Sequence, residues 1–83
     1  MARKLHFYTT LGCHLCEQAE EIVEPIVDHY GIAIEKVEIA DSDALIERYG
    51  VRIPVIRINS STLELGWPFD ENDVEALIKQ AFE

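Results

Sequence analysis

Two cysteines, one tryptophan, one methionine, three prolines and four glycines are all that this 83-residue chain has of those types, and only seven of its residues are Lys or Arg. Each scarcity excludes something. Two cysteines cannot build the multi-bridge framework of small secreted domains. So few prolines and glycines exclude collagen-like and linker-like chains. Seven basic residues against sixteen acidic ones give a net charge of -9, which suits neither phosphate backbones nor anionic bilayers. No nucleic acid and no membrane is therefore expected as a partner. No apolar run approaches the ~18 residues of a membrane span. The basic start Met1-Ala2-Arg3-Lys4 leads into a stretch broken by His6, Thr9 and Thr10, so no secretory leader is read there. A cytoplasmic location is expected, with one domain over residues 1–83 and nothing that argues for more than a monomer.

Nearly half of the residues are hydrophobic (48%), and their spacing gives the elements. Leu5 to Tyr8 is a short apolar and aromatic run, read as strand 1, which gives way to Thr9-Thr10-Leu11-Gly12. From Cys13 to Tyr30 the apolar positions Leu15, Cys16, Ala19, Ile22, Val23, Ile26, Val27 and Tyr30 follow a 3.6-residue period. That predicts one long helix, bent at Pro25 and stopped at Gly31. Ile32 to Ile39 reads as strand 2, with an alternation that changes phase between Ile34 and Val37. Asp41-Ser42-Asp43 caps a short helix over 44–49, closed by Gly50. Strand 3 is Ile53 to Ile58, with Pro54 near its start, where a missing donor is tolerated. Asn59-Ser60-Ser61 reads as a hairpin turn into strand 4, Thr62 to Leu65. After Gly66-Trp67-Pro68-Phe69, Asp70 caps a last helix with the stripe Val74, Leu77, Ile78 and Ala81.

Both cysteines lie in Cys13-His14-Leu15-Cys16, where strand 1 meets helix 1. In a reducing compartment this spacing points to redox or metal chemistry rather than to a structural staple. Cys13 at the helix start meets unpaired amide donors and the positive end of the helix dipole, both of which favour a thiolate. Glu17, Glu20 and Glu21 oppose this, so a modest lowering of its pKa is expected, with His14 as a pH-dependent neighbour. Cys16 falls on the apolar stripe and is expected to be buried. Residues three apart on a helix share a face, so a disulfide is within reach. His6, His29, Tyr30 and Tyr49 read as packing or surface residues. Trp67 reads as packing over the edge of the core, with a substrate groove lined by Trp67 and Phe69 as the rival.

With Cys13-His14-Leu15-Cys16 between strand 1 and helix 1, Ile53-Pro54-Val55 at the start of strand 3, and this element order, the chain resembles the small glutaredoxin-like branch of the thioredoxin superfamily. The resemblance implies an α/β fold, βαβαββα, with a four-stranded mixed sheet flanked by three helices. It implies a thiol–disulfide oxidoreductase in which Cys13 is the nucleophile and Cys16 the resolving thiol. It also implies a cis Ile53–Pro54 bond, with the Ile53 backbone facing outward to pair with an extended substrate, and Arg52 meeting a carboxylate such as one of glutathione. The substrate site would be Arg52, Ile53 and Pro54, the substrates protein disulfides or glutathione mixed disulfides. No resident cofactor or metal is expected, and glutathione enters only as reductant or co-substrate.

Three departures stand out. Glutaredoxins usually have Pro-Tyr where His14-Leu15 stands, a lysine where Thr10 stands, and a Gly-Gly plus acidic pair where this chain has Leu65 to Asp70. The scaffold therefore carries over better than the glutathione site does. Two rival classes use the same residues. One is a carrier of Cu(I) or another soft metal on the two thiolates. Against it, such carriers usually have Met at the position of Leu11 and end in a strand. The other is a non-catalytic interaction module on the same scaffold.

Overall fold

In a computed structural model, residues 3–58 and 63–82 are described. They form strands β1 (Lys4–Thr9), β2 (Ala33–Glu38), β3 (Val55–Ile58) and β4 (Glu64–Gly66), with helices α1 (His14–Tyr30), α2 (Asp43–Tyr49) and α3 (Glu71–Phe82). The sheet order is β2-β1-β3-β4. β1 runs parallel to β2 and antiparallel to β3, and β3 runs antiparallel to β4. This is the expected thioredoxin-like α/β arrangement, with a mixed four-stranded sheet and three helices.

Alternation along the two central strands sorts the core into two layers. Leu5, Phe7, Ile56 and Ile58 point to one face, where Cys16, Ala19, Val23 and Val27 of α1 and Val74, Leu77 and Ile78 of α3 bury them. Tyr8 and Val55 point to the other face and pack with Tyr49 and Ile39. β2 serves both layers. Ile34 packs into the first cluster and Val37 into the second, which is the physical meaning of its change of phase.

Several boundaries differ from the sequence-based expectation. β3 begins at Val55 because Pro54 has no N–H for the ladder and the Ile53 N–H is bonded to the Tyr49 carbonyl at 3.1 Å. A 3-10 turn, Ile39–Asp41, follows β2. Its first donor is met by the Glu38 side chain, a signal not read in advance. Leu15, placed on the buried stripe, is 46% exposed, because the stripe begins one position later at Cys16. α1 is one continuous helix through Pro25. β4 ends at Gly66. The turn expected at Asn59-Ser60-Ser61, and Thr62, lie outside the described residues. At α3 the caps are reciprocal. Asp70 Oδ1 accepts from the Asp73 N–H at 2.9 Å, and Asp73 Oδ2 accepts from the Asp70 N–H at 3.1 Å, a capping box built from two aspartates.

Two glycines end helices for different reasons. Gly31 closes α1 at φ 68°, ψ 33°, a left-handed conformation that a Cβ disfavours. Gly50 has an ordinary φ, but a Cβ there would sit 2.4 Å from the Ile46 carbonyl oxygen, a backbone atom that cannot rotate away. We expect Gly31→Ala to cost about 1 kcal/mol, and Gly50→Ala to cost at least as much through a backbone shift. Urea unfolding of both variants checks this, and an unchanged midpoint for Gly50→Ala would contradict the close approach.

Candidate active site

The site is assembled at one end of the sheet. β1 stops at Thr9, the chain turns through Gly12 with φ 78°, and Cys13 becomes the N-cap of α1. Its sulfur takes the role usually filled by a Ser or Asp oxygen, accepting the Cys16 N–H at 3.1 Å. The Cys13 carbonyl accepts the Glu17 N–H at 3.2 Å. Cys13 is partly exposed, whereas Cys16 is 3% exposed within the main core. The two Cα atoms are 5.2 Å apart, and the sulfurs are at disulfide distance. One accessible sulfur and one buried sulfur, joined in a three-residue loop at a helix start, suit an exchange of electrons with an external disulfide.

Register brings further residues to this end. Thr9 lies opposite Glu38, and Tyr8 opposite Val55, so the end of β2 and the start of β3 flank the cysteine loop. Glu38 was not singled out from the sequence, yet its carboxylate ties the loop down. Oε1 accepts from the Leu11 N–H and Oε2 from the Ala40 N–H, both at 3.0 Å. The Ala40 amide, with the Thr10 hydroxyl and the Leu11 amide, holds the Glu38 carboxyl below the usual carboxylate range. No local pattern marks Glu38. Only the parallel register, known once the strands are paired, shows it to be next to residue 11.

A cavity of about 220 Å³ opens beside the sulfurs, lined by Leu11, Glu17, Glu20, Lys36 and Glu38 among others. The Lys36 ammonium is paired with the Glu20 carboxylate, whose hydrogen bond holds its proton more tightly than usual. His14 lies on the surface with Nδ1 3.7 Å from Glu17.

The residues around Pro54 are more committed than expected. The Ile53–Pro54 bond is cis, as is Trp67–Pro68. The Ile53 amide, expected to face a substrate, is donated to the Tyr49 carbonyl instead. Pro54 itself is buried, and its carbonyl accepts from the Trp67 N–H at 3.0 Å. Arg52 directs its guanidinium to Glu64 at 3.8 Å and lies 5.6 Å from the Tyr49 ring. Arg48 approaches the same carboxylate at 3.6 Å. The Tyr49 hydroxyl also donates to it, while the Tyr49 ring stacks on Tyr8 at 4.3 Å. Phe69 is buried, and Trp67 meets it edge-on at 5.1 Å, so this pair serves the core. Among the described residues no group of three or more His, Cys, Asp or Glu side chains could hold a metal ion. No helix among them is long and apolar enough to cross a membrane.

The glutaredoxin-like domain (DUF836) matches residues 4–79. The chain belongs to this glutaredoxin-like family. XcR50 from X. campestris, solved by X-ray, is 38% identical over 92% of this chain and 96% of its own, with a TM-score of 0.74. Ne2328 from Nitrosomonas europaea is 26% identical over 100% and 94%, with a TM-score of 0.76. A mutant thioredoxin from Halobacterium salinarum is 25% identical over 98% and 75%, with a TM-score of 0.74. The glutaredoxin-like chain thus has the thioredoxin fold with its cysteine pair at disulfide distance, an arrangement consistent with redox activity.

Two pH responses follow. Glu38 has a lowered pKa in the folded state, so its contribution to stability is present above the unfolded carboxyl value and fades as pH falls through the lowered one. In Glu38→Gln this acid-side dependence shrinks, as acid unfolding followed by circular dichroism will show. Burial, and then the Glu64 carboxylate, push the Tyr49 hydroxyl up to about 12 from 10.0. Its contribution is complete below the unfolded value and is lost as pH rises toward 12. A phenolate absorbance titration therefore has a late component that Tyr49→Phe removes, at a stability cost of about 1.5 kcal/mol for a hydrogen bond to a charged partner. A titration unchanged by Tyr49→Phe would contradict the assignment.

Proposed function

We propose that the glutaredoxin-like chain is a small thiol–disulfide oxidoreductase working through both cysteines. The observation that carries this is the asymmetry of the pair, with a partly exposed Cys13 sulfur at the cap of α1 and a buried Cys16 behind it. In the reduced protein the helix start favours the Cys13 thiolate. That thiolate attacks one sulfur of a substrate disulfide, the substrate S–S bond breaks, and the first substrate thiolate leaves with the electron pair. Cys16 loses its proton and attacks the Cys13 sulfur of the mixed disulfide. The second substrate thiol is released, and the Cys13–Cys16 disulfide forms. Two electrons have passed to the substrate, and a thiol donor, either glutathione or a dithiol, returns them.

The substrates of this reading are protein disulfides and glutathione mixed disulfides. The Ile53 carbonyl, beside Pro54, is the backbone group offered to an extended segment. The polypeptide carries no resident cofactor in this scheme and works as a cytoplasmic monomer.

Turnover of a model disulfide separates the roles. Cys13→Ser falls to the uncatalysed level. Cys16→Ser still reacts once and accumulates a mixed disulfide at Cys13, visible as an added mass. Full turnover by Cys13→Ser would sink the proposal.

A further inference from the structure

The cavity beside the reactive sulfur carries more negative than positive charge on its walls. Glu17, Glu20 and Glu38 line it with one cation, Lys36, and that cation is already paired with Glu20. Glu38 is fixed by its two backbone donors. Glu17 projects into solvent, with His14 as its neighbour. Arg52, the residue expected to meet a carboxylate of the substrate, shares its charge with Glu64. Leu11, also on the cavity wall, is 92% exposed, and Leu15, two residues beyond Cys13, is 46% exposed. Apolar side chains beside the sulfur suit a polypeptide segment better than a small hydrophilic thiol.

Glutathione and its disulfide both carry net negative charge. Within a Debye length of about 8–10 Å, carboxylates repel such a molecule and attract a cationic one. We propose that this cavity selects disulfides whose cysteines have basic or neutral surroundings, as on a cationic protein segment, and discriminates against glutathione disulfide. The inference rests on the exchange reading above and names its substrate class. The reaction is the same in every case: the Cys13 thiolate displaces one thiolate from the disulfide, Cys16 displaces the other, and the protein is oxidised by two electrons.

The test uses the reduced full chain with three probes: cystamine (cationic), 2-hydroxyethyl disulfide (neutral) and glutathione disulfide (anionic). Each rate is divided by that of the same disulfide with free 2-mercaptoethanol, which removes leaving-group differences. At an ionic strength of about 20 mM the normalised rate for cystamine should exceed that for glutathione disulfide by roughly tenfold or more, and the gap should close near 500 mM. Salt should slow cystamine, speed glutathione disulfide and leave the neutral probe unchanged. Glu17→Gln should narrow the low-salt ratio. Asp28→Asn makes the same charge change roughly 20 Å along α1 and should leave the ratio alone. Equal salt responses, or equal effects of the two substitutions, would overturn the inference while leaving the exchange reading intact. If 2-hydroxyethyl disulfide also fails to oxidise the pair, the exchange reading falls and takes this inference with it.

Discussion

The hydrogen bond from the Cys16 N–H to the Cys13 sulfur is the contact on which the site depends. A helix start leaves amide donors without partners, and this chain meets one of them with sulfur. That choice does three things at once. It fixes where α1 begins, holds the outer sulfur at the rim of the cavity, and sets Cys16 on the first turn of the buried stripe. The rest of α1 then has to be buried for the arrangement to hold. Ala19, Val23, Ile26 and Val27 provide this against β1 and β3. Fully burying an aliphatic side chain contributes about 1.5–3 kcal/mol, so the helix is anchored by packing, and the cap decides its starting point.

The second layer has a different logic. Among the described residues, α2 and the 3-10 turn cover that face, and Tyr49 is its centre. The ring fills space against Tyr8 and Val55, while the hydroxyl reaches Glu64 at the far edge of the sheet. Glu64 in turn gathers Arg48 and Arg52. The arginine ends of both pairs are exposed, and such pairs contribute little individually. Their consequence is positional, because they hold the 50–54 connection between α2 and β3 beside the cysteine loop. The Ile53 amide is used in the same tie, bonded to the Tyr49 carbonyl. A backbone donor that a substrate was expected to use is thus part of the scaffold.

Most of the fold was legible because its signals are local. The stripe of α1, the cap residues of α2 and α3 and the spacing of Cys13 and Cys16 need only a few neighbouring residues to be read. Leu15 was misread because an apolar residue at the first turn of a helix looks in phase before the burial boundary is known. The phase change in β2 was visible but had no meaning until Ile34 and Val37 were seen to serve opposite layers. Glu38, Glu64 and the Glu20–Lys36 pair were missed for a common reason. Their partners lie far away in sequence, 27 residues in the case of Glu38 and Leu11, and a Glu on a strand gives no sign of which loop it will meet. The cysteine motif was legible in kind. The charge around it was legible only in part, since Glu17 and Glu20 lie on the same helix while Glu38 arrives through the parallel register.

This placement sets two electrostatic influences against each other at one sulfur. The start of α1 favours a negative charge by about 0.3–1 kcal/mol at an exposed position. A carboxylate ~8 Å away opposes it by about 0.5 kcal/mol in bulk water and by about 2 kcal/mol at the effective dielectric constant of a protein surface. The two influences act in opposite directions on a charge at the sulfur. An incoming substrate experiences them differently. The helix dipole falls off within a turn, whereas the net charge of the cavity wall extends over a Debye length. The carboxylates that oppose the dipole at the sulfur therefore outreach it at the distance where an encounter begins. On the exchange reading, reactivity is set at the cap of α1 and selectivity at the rim formed by β2 and the first turns of the helix.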